Sequence, residues 1–283
     1  MYRKLQRSLL FCPGDKLRVM EKTRLLKCDV AIFDLEDAVS VAKKEFALDN
    51  VTSFLTSDSS STRTGIRING IDTKWGMNEL NKIAESCKNN MNLEAIVVPK
   101  VCSLDLVNEI DSILCSAGQA TCPIWCMIET PAGVHNSHAI ASHKRVQTLI
   151  FGSNDLSKDL KAKQTVTRTP LLYSMSQMIL GARMHNKFAV DGVYNSFKDT
   201  EGFTAQCSQG REMGFDGKSL IHPDQVGACN DAFSPSAGEL ALARAVVQRW
   251  AESAGAGVVT VEGKMIEKLH VDEAEELLAT FCN

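Results

Sequence analysis

The sequence predicts an α/β fold: a (β/α)8 TIM barrel over residues 1–234, then a C-terminal helix with a small hairpin-and-helix lid over 235–283. Three observations point there. Short apolar, β-rich runs alternate eight times with helix-period segments, the rhythm of parallel strands joined by crossover helices. The 283 residues match a barrel of about 250 residues plus an appendage. Six of the strand ends carry charged or hydrogen-bonding side chains, which is where a barrel places its chemistry. A doubly wound open sheet shares the alternation; the eightfold count favours closure.

The predicted strands are 8–12, 29–34, 64–69, 94–98, 124–129, 146–151, 188–194 and 216–221, each followed by turn-forming residues. Apolar residues at helical spacing mark 17–27, 41–55, 105–114 and 171–184, with Ser103 and Thr169 placed to cap the last two. The polar run TSDSSSTR at 56–63 reads as a surface loop on the helix-to-strand side. Past the eighth strand, Pro235 opens an amphipathic helix that reaches Ala254 and is stopped by Gly255 and Gly257. A VVTV strand, a turn at Glu262 and Gly263, and a helix over 271–281 complete the tail.

Apolar residues at 44% and charged residues at 23% describe a chain that buries a core, and seven prolines with eighteen glycines exclude collagen-like or largely disordered classes. A net charge of −3 with no basic cluster excludes a nucleic-acid or anionic-lipid footprint, so small-molecule chemistry is expected. The longest apolar runs, such as 95–99 and 245–247, fall far short of the roughly 18 residues that cross a bilayer. Residues 1–10 are basic without an apolar segment and cleavage site, so no secretory signal is expected. The expected location is the cytoplasm, or an organelle matrix if a transit peptide has been removed. Ten scattered cysteines read as reduced thiols; Cys122 and Cys126 are expected on one strand face and match neither a redox nor a zinc spacing.

The predicted strand ends bring chemistry-bearing residues to one mouth: Asp34, Glu36 and Asp37 after the second, Arg67 and Asn69 at the third, Pro99 and Lys100 after the fourth. Glu129 ends the fifth, Gly152, Asn154 and Asp155 follow the sixth, and His222 with Pro223 the eighth. Glu129 and Asp155 follow consecutive strands and become neighbours in a closed barrel, where two carboxylates favour a hard dication such as Mg²⁺. The alternative is that Asp155 caps a helix and Glu129 pairs with a lysine. Arg67 alternates with Ile66 and Ile68, so either it faces inward and must meet anions, or it snorkels on the outer face. His222 reads as a structural hydrogen-bonder rather than a base. Other patterns fail: Gly255 and Gly257 follow a helix instead of opening one, and no phosphate-binding loop occurs. His135 and His138 lack a third ligand, and Met175, Met178 and Met184 have core spacing.

The blocks RSLLFCPG at 7–14, DLEDAV at 34–39, RIN at 67–69, VPK at 98–100, IET at 128–130, FGSND at 151–155, GFDGK at 214–218 and IHPDQ at 221–225 resemble one family. It is the citrate lyase β-subunit-like (CitE-like) family of the HpcH/HpaI aldolase superfamily, and the resemblance spans nearly the whole chain. It implies a barrel, usually homotrimeric, with Mg²⁺, or Mn²⁺ as a substitute, held by Glu129 and Asp155. It implies substrate contacts at Arg67, Asn69, Lys100, Pro131 and Ala132, and catalytic roles for Arg67, Glu36 and Asp37, the last two around the metal's waters. Family members that act on coenzyme A thioesters close a neighbour's site with a tail segment like Met-Ile-Asp, which corresponds here to Met265, Ile266 and a catalytic Glu267. The chain departs from the family pattern at Glu267, at Lys268, Leu269 and His270 where a proline is usual, at Cys12, and at Asn195 with Ser196.

The implied function is a Mg²⁺-dependent carbon-carbon lyase. It would cleave a β-hydroxyacyl thioester of the citramalyl, malyl or citryl type into a 2-oxoacid and an acetyl thioester by retro-Claisen chemistry. The acyl thioester substrate rides on coenzyme A or on an acyl carrier protein partner. The alternatives are a metal-dependent 2-oxoacid aldolase on the same barrel, and a non-catalytic acyl-thioester-binding subunit of a citrate lyase-like complex.

Overall fold

The computed structural model describes residues 4–57, 63–86, 93–119, 121–253, 255 and 257–282. Eight parallel strands close on themselves: β1 (Ser8–Pro13), β2 (Val30–Asp34), β3 (Thr64–Arg67), β4 (Leu93–Val98), β5 (Ile124–Ile128), β6 (Val146–Phe151), β7 (Phe188–Asp191) and β8 (Gly217–Leu220). Each pairs with the next, and β8 returns to β1 through Ser8 opposite Lys218 and Leu9 opposite Ser219. This is the expected TIM barrel. The helices around it are α1 (Leu17–Lys22), α2 (Lys44–Ser57), α3 (Gly76–Ser86), α4 (Leu104–Ser116), α5 (Pro131–His135), α6 (Ser137–Ser142), α7 (Ser153–Asp159), α8 (Leu172–Met184), α9 (Thr200–Met213) and α10 (Gln225–Ala232). None of the described helices is long and apolar enough to cross a membrane.

Side chains alternating along the strands fill the barrel: Leu9, Val30, Ile32, Ala95, Val97, Trp125, Met127, Ile150 and Val190 pack as one buried cluster, with Phe11 against it. Each large apolar side chain buried there contributes about 1.5–3 kcal/mol. This packing fills the barrel interior and leaves its upper rim to carry chemistry.

Three strands stop short of their predicted ends where a side chain takes over a backbone donor. The Asn69 N–H bonds Glu79 Oε2 at 2.7 Å instead of extending the ladder, so β3 ends at Arg67 rather than at 69. The Gly192 N–H turns to Asp191 Oδ1 at 2.7 Å and ends β7, predicted to reach 194. The Ile221 N–H bonds Gln225 Oε1 at 3.0 Å and ends β8 at Leu220.

Ser103 caps α4 by accepting the Leu106 N–H at 3.3 Å. Thr169 does not cap α8; a 3-10 turn over Thr169–Leu171 intervenes and its hydroxyl bonds Thr167 Oγ1. The helix predicted over 17–27 ends at Lys22 and gives way to a 3-10 turn. Met175 and Met178 are buried as expected, but Met184 is 65% exposed at the end of α8. Cys122 precedes β5 and so does not share a strand face with Cys126, and every described cysteine is a free thiol. Of the loop expected at 56–63, residues 56 and 57 belong to α2, and 58–62 lie outside the described residues.

The chain forms two compact units, Gln6–Asn230 and a second that joins Lys4 and Leu5 to the chain from Asp231 onward. In the second, α11 (Ala237–Ala251) starts at a capping box, with Ser236 Oγ accepting the Glu239 N–H and Glu239 Oε2 accepting the Ser236 N–H. Strands β9 (Val259–Val261) and β10 (Lys264–Ile266) pair antiparallel across Glu262 and Gly263. Both turn residues are left-handed, at φ 48° and 76°, as a tight hairpin requires. Helix α12 (Lys268–Phe281) begins earlier than predicted because the Glu267 N–H bonds His270 Nδ1 at 3.0 Å and nucleates the first turn. Val246, Val259, Val261, Ile266 and Val271 form this unit's own core.

Candidate active site

A cavity of about 360 Å³ opens at the C-terminal end of the strands, walled by Phe11, Asp34, Arg67, Met127, Glu129, Asp155 and Ser219 among others. Arg67 faces inward, which resolves the alternation of β3: its guanidinium lies 5.1 Å from the Phe11 ring centroid, and Nη1 is 3.8 Å from Met127 Sδ. Asp34 at the end of β2 grips it in a fork, Nε to Oδ1 at 2.7 Å and Nη2 to Oδ2 at 2.6 Å. Burial alone would push the Asp34 carboxyl up, but the charge and hydrogen bonds of Arg67, with the N–H groups of Glu36 and Ala38, hold it below the usual carboxylate range. Burial likewise opposes the charge on Arg67, and Asp34, Glu36 and Asp37 together outweigh it.

Glu36 sits between two cations. Its Oε1 accepts from Lys100 Nζ at 2.7 Å, and its Oε2 lies 3.0 Å from Arg67 Nη1, within ion-pair distance but misaligned for a hydrogen bond. Oε2 is therefore a buried acceptor without a donor among the described residues. Burial raises the Glu36 pKa, and the charges of Arg67 and Lys100 only partly oppose it. Asp37 is more open, with its side chain 68% exposed and Oδ2 3.5 Å from Arg67 Nη1.

Behind this acid lies a buried polar support that the sequence analysis missed. Lys44 Nζ donates to the carbonyls of Leu35 and Glu36, both at 2.6 Å, and to Asn69 Oδ1 at 2.9 Å, using all three of its donors. Asn69 in turn donates to Leu35 O and to Glu79 Oε1. The carboxamide of Asn69 is thus committed to holding the β2 turn, and Asn69 is not among the residues lining the cavity, contrary to the substrate contact expected of it. A lysine in the first turn of a helix after DLEDAV gives no sequence signal of this, because its partners are backbone carbonyls.

Lys100 links the remaining acids. Held at a left-handed φ of 52°, it donates its backbone N–H to Glu129 Oε1 at 2.8 Å, while Nζ reaches Glu36 and lies 3.4 Å from Asp155 Oδ2. Asp155 stands in the first turn of α7, whose N-cap is Gly152, so it does not cap that helix. Its carboxylate lines the cavity beside Glu129. Burial, and next the charge of Glu36, push the Glu129 carboxyl up to about 7, against the opposing pull of Lys100 and Arg67. Gly152 is what lets Glu129 sit there, since a Cβ at that position would collide with the glutamate side chain.

Among the described residues no group of three or more His, Cys, Asp or Glu side chains is arranged to hold a metal. The acidic side chains lining the mouth offer oxygen donors, and these acids outnumber the cations there. That set fits a hard dication completing its shell with waters or ligand oxygens, with Glu129 and Asp155 as the protein ligands.

The other expected residues fall outside this constellation. Pro131 and Ala132 are exposed at the start of α5 and do not line the cavity. His222 stacks on Phe197 at 4.7 Å between centroids. His135 and His138 sit on different helices, α5 and α6, and His138 pairs with His185 instead. Glu267 belongs to the C-terminal unit, where it is the N-cap of α12.

A family model described as HpcH/HpaI aldolase/citrate lyase matches residues 7–223. The chain belongs to the HpcH/HpaI aldolase/citrate lyase family. It is 40% identical over 276 residues to a protein named (3S)-malyl-CoA thioesterase from Cereibacter sphaeroides, covering 96% of this chain and 93% of that one. It is 30% identical over 285 residues to the citrate lyase subunit beta of Haemophilus influenzae, covering 97% and 96%. The crystal structure of CitE from Mycobacterium tuberculosis in complex with magnesium, acetoacetate and coenzyme A superposes with a TM-score of 0.81 at 26% identity, covering 99% of both chains. The segment matched to the HpcH/HpaI aldolase/citrate lyase model contains every candidate residue except Glu267.

Proposed function

We propose that this chain is a Mg²⁺-dependent carbon-carbon lyase that splits a β-hydroxyacyl thioester into a 2-oxoacid and an acetyl thioester. The observation that carries the reading is Arg67, Glu129 and Asp155 lining one cavity, with Glu36 and Lys100, which do not line it, ion-paired to Arg67 and Asp155. Relatives named for citrate lyase and malyl-CoA, and a neighbour bound to magnesium and coenzyme A, support the substrate class.

Glu129 and Asp155 would hold the ion, which when bound acidifies and orients the substrate hydroxyl as a Lewis acid. Glu36, through Oε2, which accepts no hydrogen bond among the described residues, takes the hydroxyl proton directly or through water, with Asp37 beside it. The electron pair of the O–H bond becomes the carbonyl of the 2-oxoacid, and the carbon-carbon bond breaks toward the thioester. Arg67, oriented by Asp34, stabilises the enolate oxygen that develops, and Lys100 keeps Glu36 in place. Glu267, one methylene longer than the aspartate of related tails, returns a proton to the enolate carbon of a neighbouring subunit in a homotrimer.

A second reading has a specific basis, the thioesterase name of the relatives at 40% identity. Water activated at Glu36 would then attack the thioester carbonyl, giving free coenzyme A and an intact hydroxy acid. A mass-spectrometric screen of citramalyl-, malyl- and citryl-coenzyme A with Mg²⁺ separates the two. Acetyl-coenzyme A with a 2-oxoacid is the expected product pair; coenzyme A with the unbroken hydroxy acid selects hydrolysis, and no turnover of any thioester sinks both. The same screen with acyl carrier protein thioesters identifies the carrier.

A further inference from the structure

The two sides of the cavity offer a ligand different things. β2, β3 and β5 bring Asp34, Arg67 and Glu129, whereas beyond Glu129 and Asp155 the wall is Phe11, Phe151, Val193 and Ile221. Asn154 and Asn195 stand there too, but they are paired with each other, Nδ2 of Asn195 donating to Oδ1 of Asn154 at 2.9 Å. One buried polar group in this wall has no hydrogen-bond partner among the described residues. Ser219 on β8 lines the cavity, is 2% exposed, and its Oγ makes no hydrogen bond among the described residues. Its neighbour Lys218 points to the opposite face of the sheet, where Nζ bonds Asp191 Oδ2 at 2.7 Å, so the alternation of β8 directs Ser219 inward. A buried hydroxyl left unpaired costs about 1–3 kcal/mol, which a ligand oxygen would recover.

We propose that Ser219 is a substrate-binding residue whose hydroxyl donates to a carboxylate oxygen of the 2-oxoacid half of the substrate. The inference rests on the lyase reading, which seats that half at Glu129 and Asp155, on β5 and after β6. Ser219 reaches the ligand from β8, and Arg67 reaches it from β3. The oxyanion that forms on cleavage is thereby left to Arg67, and recognition of the acid falls to Ser219.

The test is calorimetric titration of pyruvate into the full chain saturated with Mg²⁺, for the wild type, Ser219→Ala and Ser219→Thr, with Mg²⁺ affinity measured separately. Ser219→Ala should weaken pyruvate roughly ten- to a hundredfold, the weight of a hydrogen bond to a charged acceptor, with Mg²⁺ binding unchanged. Ser219→Thr, which keeps the hydroxyl, should retain most of the affinity. Wild-type pyruvate affinity in Ser219→Ala, or an equal loss in both variants, overturns the assignment while leaving the lyase reading intact. A wild type that binds Mg²⁺ but, in the same titration, none of pyruvate, glyoxylate and oxaloacetate removes the lyase reading and this inference with it.

Discussion

Two charged clusters in the barrel use the same residue types to opposite ends. At the mouth, Asp34, Glu36, Asp37, Glu129 and Asp155 outnumber Arg67 and Lys100, the Glu36 and Glu129 pKa values rise, and Glu36 Oε2 accepts no hydrogen bond among the described residues. Between β7, β8 and α9, a single acid answers two cations: Asp191 accepts from Arg168 Nη1 through both oxygens and from Lys218 Nζ, all at 2.7 Å. Burial would raise the Asp191 pKa, but Lys218 and Arg168 hold it below its ordinary value. Asp191 is fully buried with both oxygens in use, so it has no capacity left for a ligand. Unspent acceptors and uncompensated acids mark the candidate site; a closed ion cluster marks structure.

This contrast can be broken most severely at Asp191. Asp191→Ala strands two buried cations and should cost about 3–5 kcal/mol in urea denaturation at neutral pH. The sign of its pH dependence follows from its lowered pKa. The stability it contributes is present above the ordinary value near 3.8 and is lost as pH falls through the folded value, so the deficit of the variant should narrow in acid.

Arg67→Ala should act on chemistry instead, lowering turnover by roughly 100- to 1000-fold if it stabilises the enolate, with a smaller stability loss than Asp191→Ala because water can enter the cavity to solvate Asp34. Stopped-assay kinetics and melting curves on the same variants compare the two. Lys44→Met removes three hydrogen bonds behind Glu36 and should cost about 1.5–3 kcal/mol while also slowing turnover. Lys44→Arg should not rescue it, since a planar fork cannot meet three acceptors arranged around one ammonium. The mildest change is Glu129→Gln, expected to leave folding intact and weaken Mg²⁺ at least about tenfold by calorimetry. Unchanged metal affinity there would end the contrast, because the acid excess would then have no occupant.

The strand-helix rhythm and the polar strand ends made the barrel, and the neighbours Glu129 and Asp155, legible in one dimension. The direction of Arg67 was not, since two alternating sets of side chains on β3 are equivalent until a sheet has an inside. Asn69 looked like a ligand because it ends a strand, yet the burial of Glu79 and Lys44 around it turned it into scaffolding. The triad of Arg168, Asp191 and Lys218 left no trace either: Arg168 sits at a left-handed φ of 54° in the loop before α8, and Asp191 stands opposite Lys218 only once β7 pairs with β8.

Taken alone, the order of residues determined which side chains stand at strand ends and how often strand follows helix, because both depend on local periodicity. Which of those side chains are left wanting a partner was decided by the tertiary structure. Desolvation and pairing depend on what lies across the barrel, and a carboxylate that is harmless in water becomes a demand for charge once walls close around it.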